Sequence, residues 1–277
     1  MLDTRPIGLF DSGVGGLSVM REIVRQLPHE DVLYFADSAH CPYGAKSPSE
    51  IQRLSRGIVR FLLDQGVKLI AVACNTASAA ALSYLRDLFD VPIVGMVPAV
   101  KPAASLTDSG VVGVIATEAT FQGALFAEVT AQFAANVKVI TQVCPGLVEM
   151  VERGETDTEE MERLLRTYLE PLLAAGIDTL VLGCTHYPFL MPLMRRIVGE
   201  EVAIIEPSPA IARQVRRVLT ERDLLNPAGE GGKRFFTSGD PALFARLVKG
   251  LLGEQGPVFG VEWRGTTIVI SPEASAR

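Results

Sequence analysis

Histidine is scarce in this chain, with three among 277 residues, and cysteine occurs only at Cys41, Cys74, Cys144 and Cys184. The four cysteines lie far apart and form no CxxC pair, which excludes a disulfide framework and fits a reducing cytoplasm. His29 and His40 stand at no metal-ligand spacing from His186, so no metal site is expected. No apolar run is long enough to cross a bilayer, and the N-terminus has no signal-peptide pattern. A cytoplasmic protein without a membrane partner is therefore expected. Positive charge is not in excess: 26 Lys and Arg face 32 Asp and Glu, and a net charge of -6 gives nucleic-acid binding no electrostatic support. The chain is 48% hydrophobic and 21% charged, which argues against disorder. Its length suits one large or two modest domains.

What the sequence does have is a repeated order of strand, loop and helix. Strands are expected at residues 6–11, 32–37, 69–73, 91–97, 111–116, 137–143, 179–183, 202–206 and 234–237, with a short tail strand near Val258. Ser47-Pro48-Ser49-Glu50 reads as a helix start, and Ile51, Leu54, Ile58, Phe61 and Leu62 keep one apolar helical face. Further helices are expected at 121–133, 158–175 and 241–252, with Pro171 bending the second of these.

Two runs stand out, Val72-Ala73-Cys74-Asn75-Thr76-Ala77 and Leu182-Gly183-Cys184-Thr185-His186-Tyr187. Each follows an apolar strand and precedes a helical stretch, so a cysteine with a neighbouring hydroxyl arrives twice at the carboxyl end of a strand. A helix N-terminus there would lower the thiol pKa from about 8.5. The two halves also resemble distant repeats. Ile7-Gly8-Leu9-Phe10-Asp11-Ser12 has the shape of Val112-Gly113-Val114-Ile115-Ala116-Thr117. Gly8 precedes Cys74 by 66 residues and Gly113 precedes Cys184 by 71. Two such units facing each other would set the two thiols about a pseudo-twofold axis. Asp11-Ser12, Asp37-Ser38, Asn75-Thr76, Thr117, Thr185-His186 and Ser208 all fall at strand ends, a lining suited to a small anionic ligand.

Each signal has a plainer reading. A lone cysteine is more often a buried small hydrophobe, and that serves for Cys41 and Cys144, which have no evident partner. Gly13-Val14-Gly15-Gly16 matches neither a Walker A loop nor GxGxxG, and reads as a tight turn that projects Asp11-Ser12. His186 beside a thiol makes better sense as a general acid or base than as a metal ligand. On sequence alone Glu149 and Glu152 are solvated surface carboxylates.

Taken together, residues 7–17, Asp37-Ser38 with Pro42-Tyr43-Gly44, Ala73-Cys74-Asn75-Thr76-Ala77 and Gly183-Cys184-Thr185-His186-Tyr187-Pro188 resemble the glutamate racemases of the aspartate/glutamate racemase superfamily. The resemblance implies two similar three-layer α/β domains with mainly parallel sheets, related by a pseudo-twofold axis, with the active site in the cleft between them. The expected division is 1–97 with 207–277 as one domain and 98–206 as the other. It further implies that Cys74 and Cys184 are paired acid and base, assisted by Asp11 and His186 respectively, with Glu152 near the second thiol. Ser12, Tyr43, Gly44, Asn75, Thr76 and Thr185 match substrate-binding positions, together with Asp11 and His186. The run 144–149 follows the family pattern only in part. The implied reaction is cofactor-independent racemisation of glutamate, supplying D-glutamate for peptidoglycan. Cys74 would act on D-glutamate and Cys184 on L-glutamate. A homodimer is left open as a protein partner.

Two alternatives stay open at this point. One is a racemase of the same superfamily with another side-chain pocket, such as an aspartate racemase. The other is a binding protein that grips a small anion between two lobes, for which loss of either cysteine would change affinity little.

Overall fold

The computed structural model describes residues 3–134 and 136–276. Its strands are β1 (Ile7–Asp11), β2 (Val32–Ala36), β3 (Leu69–Val72), β4 (Ile93–Gly95), β5 (Val111–Ala116), β6 (Lys138–Val143), β7 (Thr179–Leu182), β8 (Ala203–Ile205), β9 (Lys233–Thr237), β10 (Val258–Arg264) and β11 (Thr267–Ala276). Among the described residues they form two sheets. One has seven strands in the order β11-β10-β9-β2-β1-β3-β4, and the other four in the order β6-β5-β7-β8. All pairings are parallel except β10 with β11. The protein is thus an α/β protein with parallel-dominated sheets.

The second sheet reproduces the order β2-β1-β3-β4 of the first strand for strand. Cys74 lies two residues beyond the end of β3, and Cys184 two residues beyond the end of β7, its topological counterpart. The sequence repeat therefore has a structural equivalent. After β8 the chain returns to the first sheet, where β9 pairs with β2.

The strands are apolar along their length because both faces are covered, as parallel sheets require. Alternation decides which core each residue joins. Ile7 and Leu9 of β1, with Tyr34, Ala36, Leu69 and Ala71, join one buried cluster that also takes Ile115, Leu180 and Leu182 of the second sheet. Phe10, Phe35, Ile70 and Val72 point to the opposite face, against Leu54, Ile58 and Leu62 of the helix Pro48–Asp64. The first cluster is common to both sheets, so a single apolar mass holds them together.

Ser47 caps that helix by accepting the Glu50 N–H at 3.3 Å, with Pro48 in the first turn, as the sequence predicts. Two expectations need correction. The helix expected over 121–133 is two helices, Glu118–Gln122 and Ala124–Phe133, because Gly123 takes an extended conformation with its Cα against the Ala79 methyl. The helix Glu159–Ala174 contains Pro171 and is not ended by it, which leaves the expected bend untouched. The tail holds a full hairpin, β10 with β11, rather than a short strand.

One buried ion pair ties the start of the chain to its C-terminal third. Lys68 Nζ lies 2.7 Å from Glu30 Oε2, with both side chains almost fully buried. The other carboxylate oxygen accepts the Asn226 N–H at 2.7 Å, and Lys68 Nζ also donates to the Asp3 carbonyl at 2.9 Å. Removing the cation leaves a buried carboxylate without its charge partner. Lys68→Met is expected to lower the unfolding free energy by about 3–5 kcal/mol in urea titrations, and a loss below about 1 kcal/mol would contradict this account.

Candidate active site

Cys74 is the N-cap of the helix Asn75–Leu88, its Sγ accepting the Ala77 N–H at 3.4 Å. The helix N-terminus favours a thiolate, but it is outweighed. Burial, then the neighbouring Asp11 carboxylate, push the Cys74 thiol well above its ordinary range. The lowered pKa expected from the sequence is therefore corrected for Cys74: it is held as a thiol at neutral pH.

The surroundings of Cys184 are different. No helix begins directly after it; a 3-10 turn, Tyr187–Leu190, precedes the helix Met191–Val198. What lies beside the thiol is His186, whose Nδ1 is 3.6 Å from Cys184 Sγ. The other ring nitrogen, Nε2, is 2.6 Å from Glu152 Oε1. Burial works against charge on the ring, yet hydrogen bonds with Cys184, Cys41 and Glu152 prevail and hold its pKa well above the ordinary histidine range. The ring thus sits with Nδ1 toward sulfur and Nε2 toward carboxylate, in surroundings that favour its protonated form.

Asp11 ends β1 and is fully buried. Burial raises its carboxyl above the usual range, and the His186 charge acts against that rise. Its oxygens accept the Ser12 N–H at 2.6 Å, the Gly16 N–H, and the Thr185 hydroxyl at 3.1 Å. Thr185 belongs to the second sheet's half, so this last bond crosses the cleft. Two more do the same: Val14 N–H donates to Glu152 Oε1 at 2.7 Å, and Ser18 Oγ donates to the Thr185 carbonyl at 3.0 Å. The glycines of the 13–16 loop make room for them. A methyl at Gly13 would overlap the Glu152 carboxylate, and one at Gly15 would overlap the His186 ring. The loop is more than a tight turn that projects Asp11 and Ser12; it is the surface against which Glu152 and His186 close.

Ten of the eleven residues expected at the site line one cavity: Asp11, Ser12, Tyr43, Gly44, Cys74, Asn75, Thr76, Cys184, Thr185 and His186. Glu152 stands behind His186 rather than on the wall, and it is an interior hydrogen-bonding group instead of a solvated surface carboxylate. Glu149 is exposed, as expected. The Tyr43 hydroxyl donates to Asp37 Oδ2 at 2.7 Å. Thr76 and Thr117 share a hydrogen bond of 3.0 Å across the cleft. Asn75 Nδ2 is buried and has no partner among the described residues, which leaves an amide donor facing the cavity. Such an unpaired donor suits an anionic ligand group. The cavity volume is about 10 Å³, the room one water occupies.

Pro42, Thr117 and Val148 also line the wall. Thr117, one of the strand-end hydroxyls singled out in the sequence, follows the end of β5, whereas Val148 carries no signal in the sequence. Cys41 was read as a filler, but its Sγ lies 4.0 Å from Ser12 Oγ and its donor atom falls within 4.8 Å of those of Glu152 and His186. Those three residues form a set able to hold a metal ion, although His186 and Glu152 are already bonded to each other. Cys144 lies outside this cavity, on an adjoining one of about 180 Å³, with burial raising its thiol to about 12.

Comparison with known proteins agrees with this arrangement. The Asp/Glu/Hydantoin racemase family model matches residues 7–215. The glutamate racemase of Stutzerimonas stutzeri (strain A1501) is 51% identical over 91% of this chain and 96% of its own. A glutamate racemase isoform from Bacillus anthracis superposes with a TM-score of 0.87 at 35% identity, over 96% of this chain and 99% of that one. The Francisella tularensis subsp. tularensis enzyme, solved in complex with D-glutamate, gives a TM-score of 0.82 at 34% identity, over 95% and 98% of the two chains. With matched thiols at equivalent strand ends of a duplicated α/β architecture, the chain belongs to the Asp/Glu/Hydantoin racemase family of isomerases, among its glutamate racemases.

Proposed function

We propose that this protein interconverts L- and D-glutamate by a two-base route in which Cys74 and Cys184 work on opposite faces of the α-carbon. One observation carries the reading: two cysteines at topologically equivalent strand ends line a single cavity, each with its own ionisable partner. From L-glutamate, the Cys184 thiolate takes the α-proton and the Cys74 S–H delivers its proton to the other face. D-glutamate results, with Cys184 as thiol and Cys74 as thiolate, and the reverse reaction runs from that state. Preorganised donors in a dry site stabilise the carbanionic transition state, so the chemistry needs no added electron sink. The unpaired Asn75 amide, Ser12 and the Thr76 and Thr185 hydroxyls are suited to the substrate's carboxylates. Asp11 serves the Cys74 side, and His186 with Glu152 the Cys184 side.

The names of the most similar relatives favour glutamate over aspartate, and the supply of D-glutamate to peptidoglycan rests on the family resemblance. Four free cysteines support a reducing cytoplasm as the setting, and no helix is long and apolar enough to cross a membrane among the described residues. Sheet membership supports dividing the chain into 1–97 with 207–277 and 98–206 as two units.

Circular dichroism of L-glutamate turnover tests the thiols directly. Cys74→Ala and Cys184→Ala are each expected to lose about 10³-fold or more in kcat, while Cys144→Ala stays near the wild-type rate. Near-normal turnover by either of the first two would end the two-thiol reading. In D₂O the product should carry deuterium at the α-carbon, and product without it would exclude exchange through solvent-equilibrated thiols.

The charge argument predicts a pH effect. Cys74 must be a thiol to protonate the carbanion formed from L-glutamate, and the Asp11 carboxylate helps to keep it one. Asp11→Asn removes a negative neighbour, so the thiol ionises more readily. The alkaline limb of the kcat/KM profile should then move to lower pH; a limb that stays put or rises would refute the assignment. Gly15→Ala should drive His186 from its place and cost about 10²-fold in kcat while leaving the fold intact by far-ultraviolet circular dichroism. Undiminished turnover would show that the close approach at this glycine is dispensable.

A further inference from the structure

Away from the cleft, the helix Pro48–Asp64 turns a second set of residues outward. Arg53, Arg56 and Arg60 fall on successive turns of one face, a spacing that sets like charges beside each other. They line a recess of about 190 Å³ closed on its other sides by Gln52, by Tyr84 of the helix Asn75–Leu88, and by Thr266 at the tip of the β10–β11 hairpin. No carboxylate lines it among the described residues. None of the three guanidinium groups forms an ion pair there either, whereas Arg5, Arg25, Arg153 and Arg166 each hold a nearby carboxylate. The Nε of Arg56 is buried and has no hydrogen-bond partner. In a chain of net charge -6 this is an unbalanced positive recess.

The walls are fixed. Gly57 lets the Trp263 ring press against the helix, since a methyl there would overlap it. Trp263 Nε1 donates to the buried Asp37 at 2.8 Å, and Gln52 Nε2 donates to the Ala80 carbonyl at 2.9 Å. The arginines therefore stand on a fixed helix beside fixed walls, which lowers the part of the ordering cost that the backbone would otherwise add. Arginine forks match the oxygens of phosphoryl groups, and the run from Arg53 to Arg60 spans about 10 Å of helix, more than a single phosphate occupies.

We infer that this recess is a second binding site, separate from the catalytic cavity, for a phosphate anion of diphosphate size. It shares no lining residue with that cavity. Like-charge repulsion among the arginines is relieved when the anion binds.

Isothermal titration with inorganic pyrophosphate at low ionic strength tests the site on the full chain. One molecule per chain is expected to bind saturably, about tenfold or more tighter than inorganic phosphate or citrate, and to weaken as salt is raised. Arg56→Gln and the exposed pair Arg53→Gln with Arg60→Gln should each weaken pyrophosphate at least about tenfold. All should racemise glutamate at the wild-type rate without pyrophosphate, which also reports that they fold. The double variant uses exposed positions, so it remains informative if Arg56→Gln does not fold. Absence of saturable binding at 10 mM (about the limit of a specific weak site,), citrate binding as tightly as pyrophosphate, or variants that bind like the wild type would each overturn the site. Because binding is read separately from turnover, a failure of the racemase reading would leave this result unaffected.

Discussion

The cleft depends on one close approach, that of Glu152 and His186 to the glycine loop at 13–16. Val14 N–H, Gly16 N–H and the Ser18 hydroxyl give the loop donors, and Glu152, Asp11 and the Thr185 carbonyl accept them. Because Thr185 and Glu152 belong to one half and the loop to the other, the same bonds that position the ionisable groups also dock the two sheets. Side chains at Gly13 or Gly15 would separate His186 from its place, and the charge arrangement would go with it. Packing and electrostatics meet at this contact, above an apolar core common to both sheets.

Duplication supplies symmetry of topology, and side chains then break it. The two cysteines stand at equivalent points, but Cys74 faces a carboxylate and Cys184 a histidine ring. The Asp11 side holds a proton on the Cys74 sulfur, and the other side sets a histidine ring nitrogen 3.6 Å from Cys184. In the proposed reaction that difference lets a pair of chemically identical groups act as acid and base at the same pH.

Much of the fold was legible because parallel strands covered on both faces leave continuous apolar runs, and helix starts such as Ser47-Pro48 carry local chemistry. The tail was not: β10 and β11 show no clean alternation, and Trp263 of β10 is anchored by reaching Asp37, a contact between residues 226 apart in the chain. Gly123 likewise breaks a helix for the sake of a distant methyl group. In the site, the strand-end motifs pointed to the lining residues, whereas Cys41 looked inert because its neighbours His186 and Glu152 come from the other half. The direction of the Cys74 shift was hidden for a similar reason. A helix N-terminus can be read from local sequence, but burial and the facing Asp11 cannot.

The cavity between the thiols does not stand alone. Its volume of about 10 Å³ adjoins a larger space of about 180 Å³, and Pro42, Gly44, Thr117 and Val148 line both. The two thiols thus lie at the narrow end of a recess whose wider end carries Cys144, Glu118 and Glu149. The wall shared by the two spaces draws on both halves of the chain, Pro42 and Gly44 from one and Thr117 and Val148 from the other, so any change in how the halves dock alters the passage between them as well as the distance between the thiols.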